Sequence, residues 1–447
     1  MNVLQPYWDR TKWFRHDRFG MFLHWGLYAI PGQGEWYRSD CRIPSAEYDQ
    51  YFSRFRPTKF DPVRWARAAK AAGMKYMVLT AKHHDGFCLF RTRYTDFNAV
   101  NACGRDLVKE FVEAVRAEGL KVGLYYSIID WRHPDYPKYG DLYHPMRDNE
   151  AYRDEVIDFD RYLDFMHGQI EELVTQYGKL DILWFDYAYG DLRGEAWRGT
   201  ELVKMVRRHQ PDVIMDNRLE TSGEGFGSLV TEAPNLFSGD FVSPEQIIPA
   251  EGIRNVFGDP VPWELCTTMN NSWGYVPCDT CYKTPELLVR KLVECVSKGG
   301  NMLLNMGPNA LGSFPPAASE ILDGIGRWME RNGESIYGCG YAGIPKPEWG
   351  RYTRRGNVIY AHVMEAPIGP LAFPGINPAS VESLTLLHDG SAMYSGDSFI
   401  TKAYEGTLFA SFGSVPFYSY PLPDPWDTVV KIVLKEEATV HGSELDR

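Results

Sequence analysis

The sequence predicts an α/β fold, a (β/α)8 TIM-like barrel followed by a smaller C-terminal β-sandwich. Short apolar runs alternate with longer amphipathic segments, a pattern typical of a parallel sheet covered by helices. Eight such repeats over roughly 320 residues is the size of a barrel of this kind with insertions. The alternation stops after residue 338, and β-rich runs separated by Gly, Pro and Asp take its place. We therefore assign residues 1–340 to the barrel and residues 341–447 to the sandwich.

Seven strands of the barrel are well marked, and they lie near residues 20, 76, 121, 181, 212, 263 and 301. A weakly marked eighth strand is expected between residues 240 and 250. The strands “KYMVLTAKHH”, “KVGLYYSI” and “KLDILWFD” each follow a helical segment that ends at a glycine, namely Gly73, Gly119 and Gly178. The strand “NMLLNMGP” follows “TPELLVRKLVECVSKGG”, in which Thr284 is the expected N-cap and Pro285 the first helical residue.

The composition of the 447-residue chain argues against several classes of partner. A formal net charge of −12 is unsuited to nucleic acid or to an anionic membrane, because both need clustered Lys and Arg. No stretch approaches the ~18 uninterrupted apolar residues of a membrane span. The first residues, “MNVLQPYWDRTKWFRHDRFG”, lack the apolar core of a secretory signal, so we expect a cytoplasmic protein. Homo-oligomers are compatible with the sequence.

The eight cysteines are scattered and too sparse for a disulfide framework. Cys278 and Cys281 form one “CDTC”, but no second pair and no “HxxxH” stands nearby, so the spacing does not predict a structural zinc. We expect no metal and no cofactor.

Polar and aromatic residues end nearly every predicted strand, and in a barrel the chemistry lies at the carboxyl ends of the strands. The residues at these ends are His24, Trp25, His83, His84, Asp85, Tyr125, Tyr126, Trp184, Asp186, Asp216, Asn217 and Arg218, with Glu245, Glu264 and Trp273 from later segments. Carboxylates, histidines, one arginine and many aromatic rings favour carbohydrate chemistry, because glycosidases need two carboxyl groups flanking the glycosidic bond.

The stretch “TAKHHDGF” leaves alternatives open. Adjacent side chains of a strand point to opposite faces, so His83 and His84 can share a pocket only where the strand has ended. A structural interpretation has one histidine buried and the other solvated. A second interpretation is a metal-dependent hydrolase that uses His83 and His84, although adjacent histidines chelate one ion poorly and no “HxH” or “HExxH” occurs. A catalytically inactive sugar-binding protein is a third, but it would not need two carboxylates.

Five separated motifs resemble those of the retaining α-L-fucosidases of glycoside hydrolase family 29. They are “FGMFLHWGLYAIPGQGEWY”, “VLTAKHHDGFCLF”, “LYYSIIDW”, “DILWFD” and “WELCTTMNNSWGY”, and the likeness runs in order over about residues 8 to 340. The resemblance implies that Asp186 is the nucleophile. It also implies that the sugar pocket is lined by His24, Glu35, Trp36, His83, His84, Tyr126, Trp184, Arg218 and Trp273.

The acid/base lies in a variable loop of this family, so the resemblance leaves it between Glu245 of “GDFVSPEQ” and Glu264 of “PWEL”. We favour Glu245 and assign Glu264 to substrate binding, since a residue within a strand is better placed to orient other groups than to reach the leaving oxygen. Glu220, Glu224 and Glu232 are weaker candidates. The implied activity is exo-acting removal of terminal α-L-fucose from fucosylated glycans, by double displacement through a covalent fucosyl-enzyme.

Overall fold

The computed structural model describes residues 5–395, 400–412 and 421–435, and these residues form two compact units. The first unit comprises Met1–Trp13, Phe19–Lys283 and Met302–Leu322, and the second comprises Phe14–Arg18, Thr284–Asn301 and Asp323–Arg447, each as far as described. The domain boundary at residue 340 stays a prediction. Residues 436–447 of the predicted sandwich lie outside the described residues.

Seven strands form the sheet of the first unit, in the order β5-β4-β3-β2-β1-β7-β6. Their bounds are β1 Phe19–Leu23, β2 Tyr76–Lys82, β3 Lys121–Ser127, β4 Ile182–Asp186, β5 Ile214–Met215, β6 Glu264–Thr268 and β7 Asn301–Met306. The pairs β5–β4, β4–β3, β3–β2, β2–β1 and β1–β7 are all parallel. The TIM-like α/β fold is therefore confirmed.

The weakly marked eighth strand appears as isolated parallel bridges rather than as a regular strand. Phe241 pairs with Asp216, directly after β5, while Val242 and Glu245 pair with Trp263 and Cys266 at β6. Residues 241–245 therefore lie between β5 and β6 and close the ring. Glu245 lies at the end of this irregular segment, followed by Gln246 with a φ of 57°.

Twelve α-helices are described within residues 5–395. They are α1 Gln5–Arg10, α2 Lys12–Asp17, α3 Tyr37–Asp40, α4 Ser45–Tyr48, α5 Gln50–Arg54, α6 Pro62–Ala71, α7 Ala99–Cys103, α8 Leu107–Ala117, α9 Phe159–Gln176, α10 Gly199–His209, α11 Pro285–Ser297 and α12 Pro316–Asn332. The predicted cap of α11 is present, because Thr284 accepts a hydrogen bond from the amide of Leu287. No helix in the described part of the chain is long and apolar enough to span a membrane.

The second unit carries two antiparallel sheets. One has the order β11-β13-β9-β8 and the other pairs β10 with β12. The strands are β8 Gly350–Arg355, β9 Val358–Val363, β10 Leu371–Phe373, β11 Val381–Leu386, β12 Leu408–Ala410 and β13 Thr428–Leu434. Ile359, Phe373 and Ile432 belong to a single buried cluster contributed by both sheets, which confirms the predicted all-β C-terminal fold.

Candidate active site

A cavity of about 250 Å³ opens at the carboxyl ends of the barrel strands. Ten of the twelve predicted site residues line it: His24, Glu35, Trp36, His83, His84, Trp184, Asp186, Arg218, Glu245 and Trp273. They come from distant parts of the sequence, and they meet because the carboxyl ends of parallel strands lie at the same end of a barrel.

Two carboxylates in the cavity share one arginine. Arg218 Nη1 lies 2.9 Å from Asp186 Oδ1 and 2.9 Å from Glu245 Oε2. Arg218 is held beneath them by Nη2, which donates to the carbonyl oxygen of Ser243 at 3.2 Å, and its guanidinium lies over the ring of Trp184. The arginine is only 3% exposed and Asp186 is also buried, so the charge of Arg218 acts on Asp186 with little screening by water.

Asp186 ends β4 and is almost completely buried. Burial raises the pKa of its carboxyl group above the usual value, and the neighbouring Glu245 raises it further. Arg218 and a hydrogen bond from the Tyr125 hydroxyl to Asp186 Oδ2 at 2.9 Å oppose this shift. The cation and the hydroxyl thus favour the ionised form that a nucleophile requires.

The three histidines of the cavity are buried, and burial lowers the pKa of each ring, that of His24 to about 3. All three are therefore neutral near pH 7. His24 Nδ1 donates to Asn305 Oδ1 at 2.7 Å. The hydroxyl of Ser127 donates to the carbonyl oxygen of Ile129, so His84 Nδ1 donates to Ser127 Oγ at 2.7 Å. These bonds leave Nε2 of His24 and of His84 as acceptors.

His83 has a buried Nδ1 without a hydrogen-bond partner among the described residues. Its ring stacks on Tyr125 with an interplanar angle of 11°, and its centroid lies 3.9 Å from that of His84. Both histidines follow the last residue of β2, Lys82, so the alternation of strand side chains no longer separates them. The adjacent pair therefore faces one cavity.

Glu35 and Trp36 lie on the loop after β1. Glu35 Oε2 accepts a hydrogen bond from the amide of Gly274 at 2.8 Å, which joins this loop to the segment that carries Trp273. Burial raises the pKa of Glu35, and the Gly274 amide opposes the shift. Trp273 packs against His24 with ring centroids 5.0 Å apart.

Tyr126 does not line the cavity, and Tyr125 takes the place predicted for it. The two side chains of β3 point to opposite faces. The hydroxyl of Tyr126 donates to Gln169 on α9 at 2.8 Å, and its ring lies under the ammonium group of Lys82. Tyr125 faces inward, where it binds Asp186 and stacks on Trp184. Alternate residues of β3 face opposite sides, and the structure shows that Tyr125 is the one on the side of the cavity.

Glu264 also lies away from the cavity lining. It is the first residue of β6 and is completely buried, two positions before Cys266, which does line the cavity. Because side chains two apart in a strand share a face, Glu264 lies one layer deeper inside the barrel. Tyr76 donates to its Oε2 at 2.5 Å. Burial raises the pKa of Glu264 to about 8.

Sequence reasoning did not assign Tyr143, Tyr187 and Tyr189 to the site, although all three line the cavity. Tyr187 and Tyr189 belong to the “YAY” directly after Asp186, so their proximity to the end of β4 was readable from the sequence. Tyr187 has a φ of 89°, unusual for a residue with a side chain, and its amide donates to Ser222 Oγ at 2.9 Å. Tyr143 lies on the long loop after β3, and nothing in the sequence indicates where that loop folds.

Within the described ranges, no group of three or more His, Cys, Asp or Glu side chains is arranged to hold a metal ion. Cys278 and Cys281 are both exposed and free. The histidines that suggested a metal site are instead surrounded by aromatic rings.

Two adjacent carboxyl groups, neutral imidazoles and aromatic rings around a small cavity at the carboxyl end of a (β/α)8 barrel define a glycoside hydrolase. The comparison with protein families agrees with this class and makes it specific. The family Alpha-L-fucosidase matches residues 5–334, so the chain belongs to the α-L-fucosidase family.

Similarity to individual proteins extends over most of the chain. The plasma α-L-fucosidase of Homo sapiens is 31% identical over 350 residues, which cover 73% of this chain and 68% of that protein. The structure of α-L-fucosidase isoenzyme 1 from Paenibacillus thiaminolyticus has a TM-score of 0.92 and 53% identity, and covers 96% of this chain and 100% of that one.

A GH29 α-L-fucosidase from Bacteroides thetaiotaomicron has a TM-score of 0.79 and 31% identity, with 96% of each chain covered. That structure is of a trapped covalent intermediate in complex with 2-fluoro-fucosyl fluoride.

Proposed function

We propose that this protein is an exo-acting, retaining α-L-fucosidase that releases terminal α-L-fucose from fucosylated glycans, with Asp186 as nucleophile and Glu245 as acid/base. The observation that carries this proposal is the pair of carboxylates bound to one arginine nitrogen. The covalent intermediate trapped in the Bacteroides thetaiotaomicron enzyme supports the same double displacement.

The spacing of the two carboxylates favours retention of configuration. Because Asp186 Oδ1 and Glu245 Oε2 each lie 2.9 Å from Arg218 Nη1, these two oxygens are at most about 6 Å apart. Retaining enzymes hold their carboxyl groups ~5–5.5 Å apart, whereas inverting enzymes need ~6.5–9.5 Å to admit a water molecule.

In the first step Asp186 attacks the anomeric carbon and forms an ester bond to it while the glycosidic C–O bond breaks. Glu245 gives its proton to the departing oxygen. In the second step water attacks the same carbon, Glu245 takes a proton from that water, and the bond to Asp186 breaks. Glu245 is suited to both steps because its side chain is 35% exposed, so it can reach an aglycone and the incoming water.

Asp186 is suited to the attack because it is buried and fixed. Its two oxygens are bound by Arg218 and Tyr125, which orient the carboxylate and favour its ionised form. The Tyr125 hydroxyl and Arg218 can strengthen or release these bonds as negative charge leaves Asp186 in the first step and returns in the second.

The size and lining of the cavity support action on a single terminal sugar. A volume of about 250 Å³ lies below the ~300–1,000 Å³ of usual ligand sites, which suits one pyranose ring rather than a chain of them. The neutral imidazoles of His24 and His84 can accept hydrogen bonds from sugar hydroxyls through Nε2, and that of His83 can donate or accept. The partly exposed Trp273 offers an apolar face, which suits the ring and methyl group of a 6-deoxy sugar.

Proton NMR of the hydrolysis of an aryl α-L-fucoside tests the proposal directly. The first product should be α-L-fucose, which mutarotates later, and an initial β-anomer would contradict the retaining mechanism. Asp186→Asn should lower kcat by several orders of magnitude without unfolding the protein. Asp191→Asn is a matched control, since this exposed carboxylate lies five positions further along and outside the cavity. Activity of the Asp186→Asn variant equal to that of the control would reject the assignment.

A further inference from the structure

The segment that carries Glu245 pairs regularly with β6. The amide of Glu264 donates to the carbonyl oxygen of Val242 at 2.9 Å, and the amide of Cys266 donates to that of Pro244 at 3.0 Å. This ladder brings Glu245 opposite Cys266, and both side chains line the cavity. The register therefore fixes how far along the barrel Glu245 lies, whereas the direction of its carboxyl group depends on how the chain continues.

On the side of β5 the same segment is held by side chains. Beyond the backbone bridge at Phe241, Asn217 Oδ1 accepts a hydrogen bond from the amide of Ser243 at 3.0 Å. Arg218 Nη2 donates to the carbonyl oxygen of Ser243 at 3.2 Å. Both side chains and Ser243 are buried, so water competes little for these bonds. The chain is therefore anchored two residues before Glu245.

Gln246 turns the chain directly after Glu245. Its φ is 57°, and the amide of Ile247 donates to the carbonyl oxygen of Glu245 at 2.7 Å, which closes a three-residue turn centred on Gln246. A turn of this kind with a positive φ is rare and strained for a residue with a side chain. Such a conformation persists only where the surrounding structure holds it.

The side chain of Gln246 supplies this hold. Gln246 Oε1 accepts from the hydroxyl of Thr267 at 2.9 Å and from the amide of Thr268 at 3.4 Å. Gln246 Nε2 donates to Thr268 Oγ1 at 3.2 Å. Both threonines are buried in β6. The three bonds, which we call the Gln246 clasp, fasten the turn after Glu245 to the same strand that pairs with the segment before it.

We propose that Gln246 is a positioning residue for Glu245. The Gln246 clasp keeps the strained turn closed and so directs the carboxyl group of Glu245 toward Arg218 and the glycosidic oxygen. The inference rests on the proposed function, in which Glu245 is the acid/base. Without the clasp the turn can relax to a negative φ, which a residue with a side chain prefers. Glu245 then reaches the leaving oxygen less often, while Asp186 and the sugar pocket are unchanged.

The test separates protonation of the leaving group from the rest of the reaction. It compares kcat/KM for 2-chloro-4-nitrophenyl α-L-fucoside, whose leaving group needs little protonation, with kcat/KM for 4-methoxyphenyl α-L-fucoside, whose leaving group needs a proton. Gln246→Ala should lower kcat/KM for the 4-methoxyphenyl fucoside by about tenfold and leave that for the other substrate within about twofold of wild type. Thr267→Val removes the hydroxyl that donates to Gln246 and should give a smaller loss of the same kind.

Two further variants show whether the loss comes from the clasp. Gln246→Glu keeps an oxygen that accepts from Thr267 and Thr268, and the ammonium group of Lys283, 3.5 Å from Thr268 Oγ1, offsets the added charge. Its kcat/KM for the 4-methoxyphenyl fucoside should recover to within about threefold of wild type. Ile247→Ala changes the next residue, which is 76% exposed and does not line the cavity, and it should behave like wild type.

A double mutant links the effect to Glu245. In the Glu245→Ala background, Gln246→Ala should cause no further loss on the 4-methoxyphenyl fucoside, because the group that Gln246 positions is absent. Additive losses would overturn the positioning role, and so would equal losses on both fucosides or unchanged kinetics in Gln246→Ala alone. If Glu245→Ala by itself slows both fucosides equally, Glu245 is not the acid/base, and this inference falls with that assignment. A wild type that cleaves neither fucoside would instead reject the fucosidase function itself.

Discussion

Replacement of Arg218 by methionine tests the shared cation at the centre of the site. Methionine keeps much of the length of the side chain and removes its charge. In the wild type, kcat/KM should fall as the pH falls through the pKa of Asp186, because the proposed mechanism requires this carboxylate to be ionised. Loss of the arginine removes a charge that lowers this pKa. The acidic limb of the pH profile should therefore move to higher pH in Arg218→Met.

The magnitude follows from the contact distance. Arg218 Nη1 lies 2.9 Å from Asp186 Oδ1, which places the two charge centres ~4 Å apart and gives about 4 kcal/mol at an effective dielectric constant of ~20. Since one pKa unit corresponds to 1.36 kcal/mol, this sets an upper limit of about 3 units, and arginine neighbours commonly shift a carboxylate by ~1–3 units. We expect the acidic limb to move upward by about 1–3 pH units.

The assay is kcat/KM for an aryl α-L-fucoside with a good leaving group, measured between pH 4 and pH 8, with circular dichroism at each pH to confirm folding. Arg218→Lys should keep the acidic limb near that of wild type, because a positive charge remains. Arg67→Met changes the net charge equally at an exposed helix position and should not move the limb. An Arg218→Met profile that is lower but has the same acidic limb would refute the electrostatic role of Arg218.

Three further predictions address other parts of the site. Glu245→Ala should slow substrates with poor leaving groups far more than aryl fucosides with good ones, and azide should restore its rate by attacking the covalent fucosyl-enzyme, which gives α-fucosyl azide. If Glu264→Ala shows this behaviour instead, the two glutamates are interchanged. His83→Ala should lower kcat/KM, with a loss of about 1.5–3 kcal/mol of transition-state stabilisation, because a desolvated hydrogen bond to the sugar is lost. An affinity for fucose equal to that of wild type would argue against this contact. Glu264→Gln should gain stability over wild type by ~1.4 kcal/mol per pH unit between about pH 5 and pH 7, measured by urea denaturation. The folded protein keeps the proton of Glu264 up to about pH 8, whereas the unfolded chain loses it near pH 4.5. The stability of the wild type therefore falls as the pH rises through this window. A stability difference between Glu264→Gln and wild type that is constant with pH would contradict this prediction.

The sequence by itself determined the fold class and most of the site. Buried parallel strands are apolar throughout, so β2 and β3 are easily recognised in the sequence. The residues that directly follow these strands must lie at the carboxyl end of the barrel. His83, His84 and Asp186 could be placed at the cavity for this reason. The motifs around them identified the chemistry, because those side chains lie within a few residues of a strand end.

The tertiary structure decided which way individual side chains point and where the long loops lie. The sequence does not distinguish Tyr125 from Tyr126. In the structure the side chains of β3 point to opposite faces, so Tyr125 contacts Asp186 and Tyr126 contacts α9. Glu264 lies one layer deeper in the barrel than the cavity-lining Cys266, which its position in the sequence does not reveal without the register of β6. Tyr143 reaches the cavity through a loop without regular structure, whose path is set by side-chain hydrogen bonds at Asp141 rather than by any local periodicity.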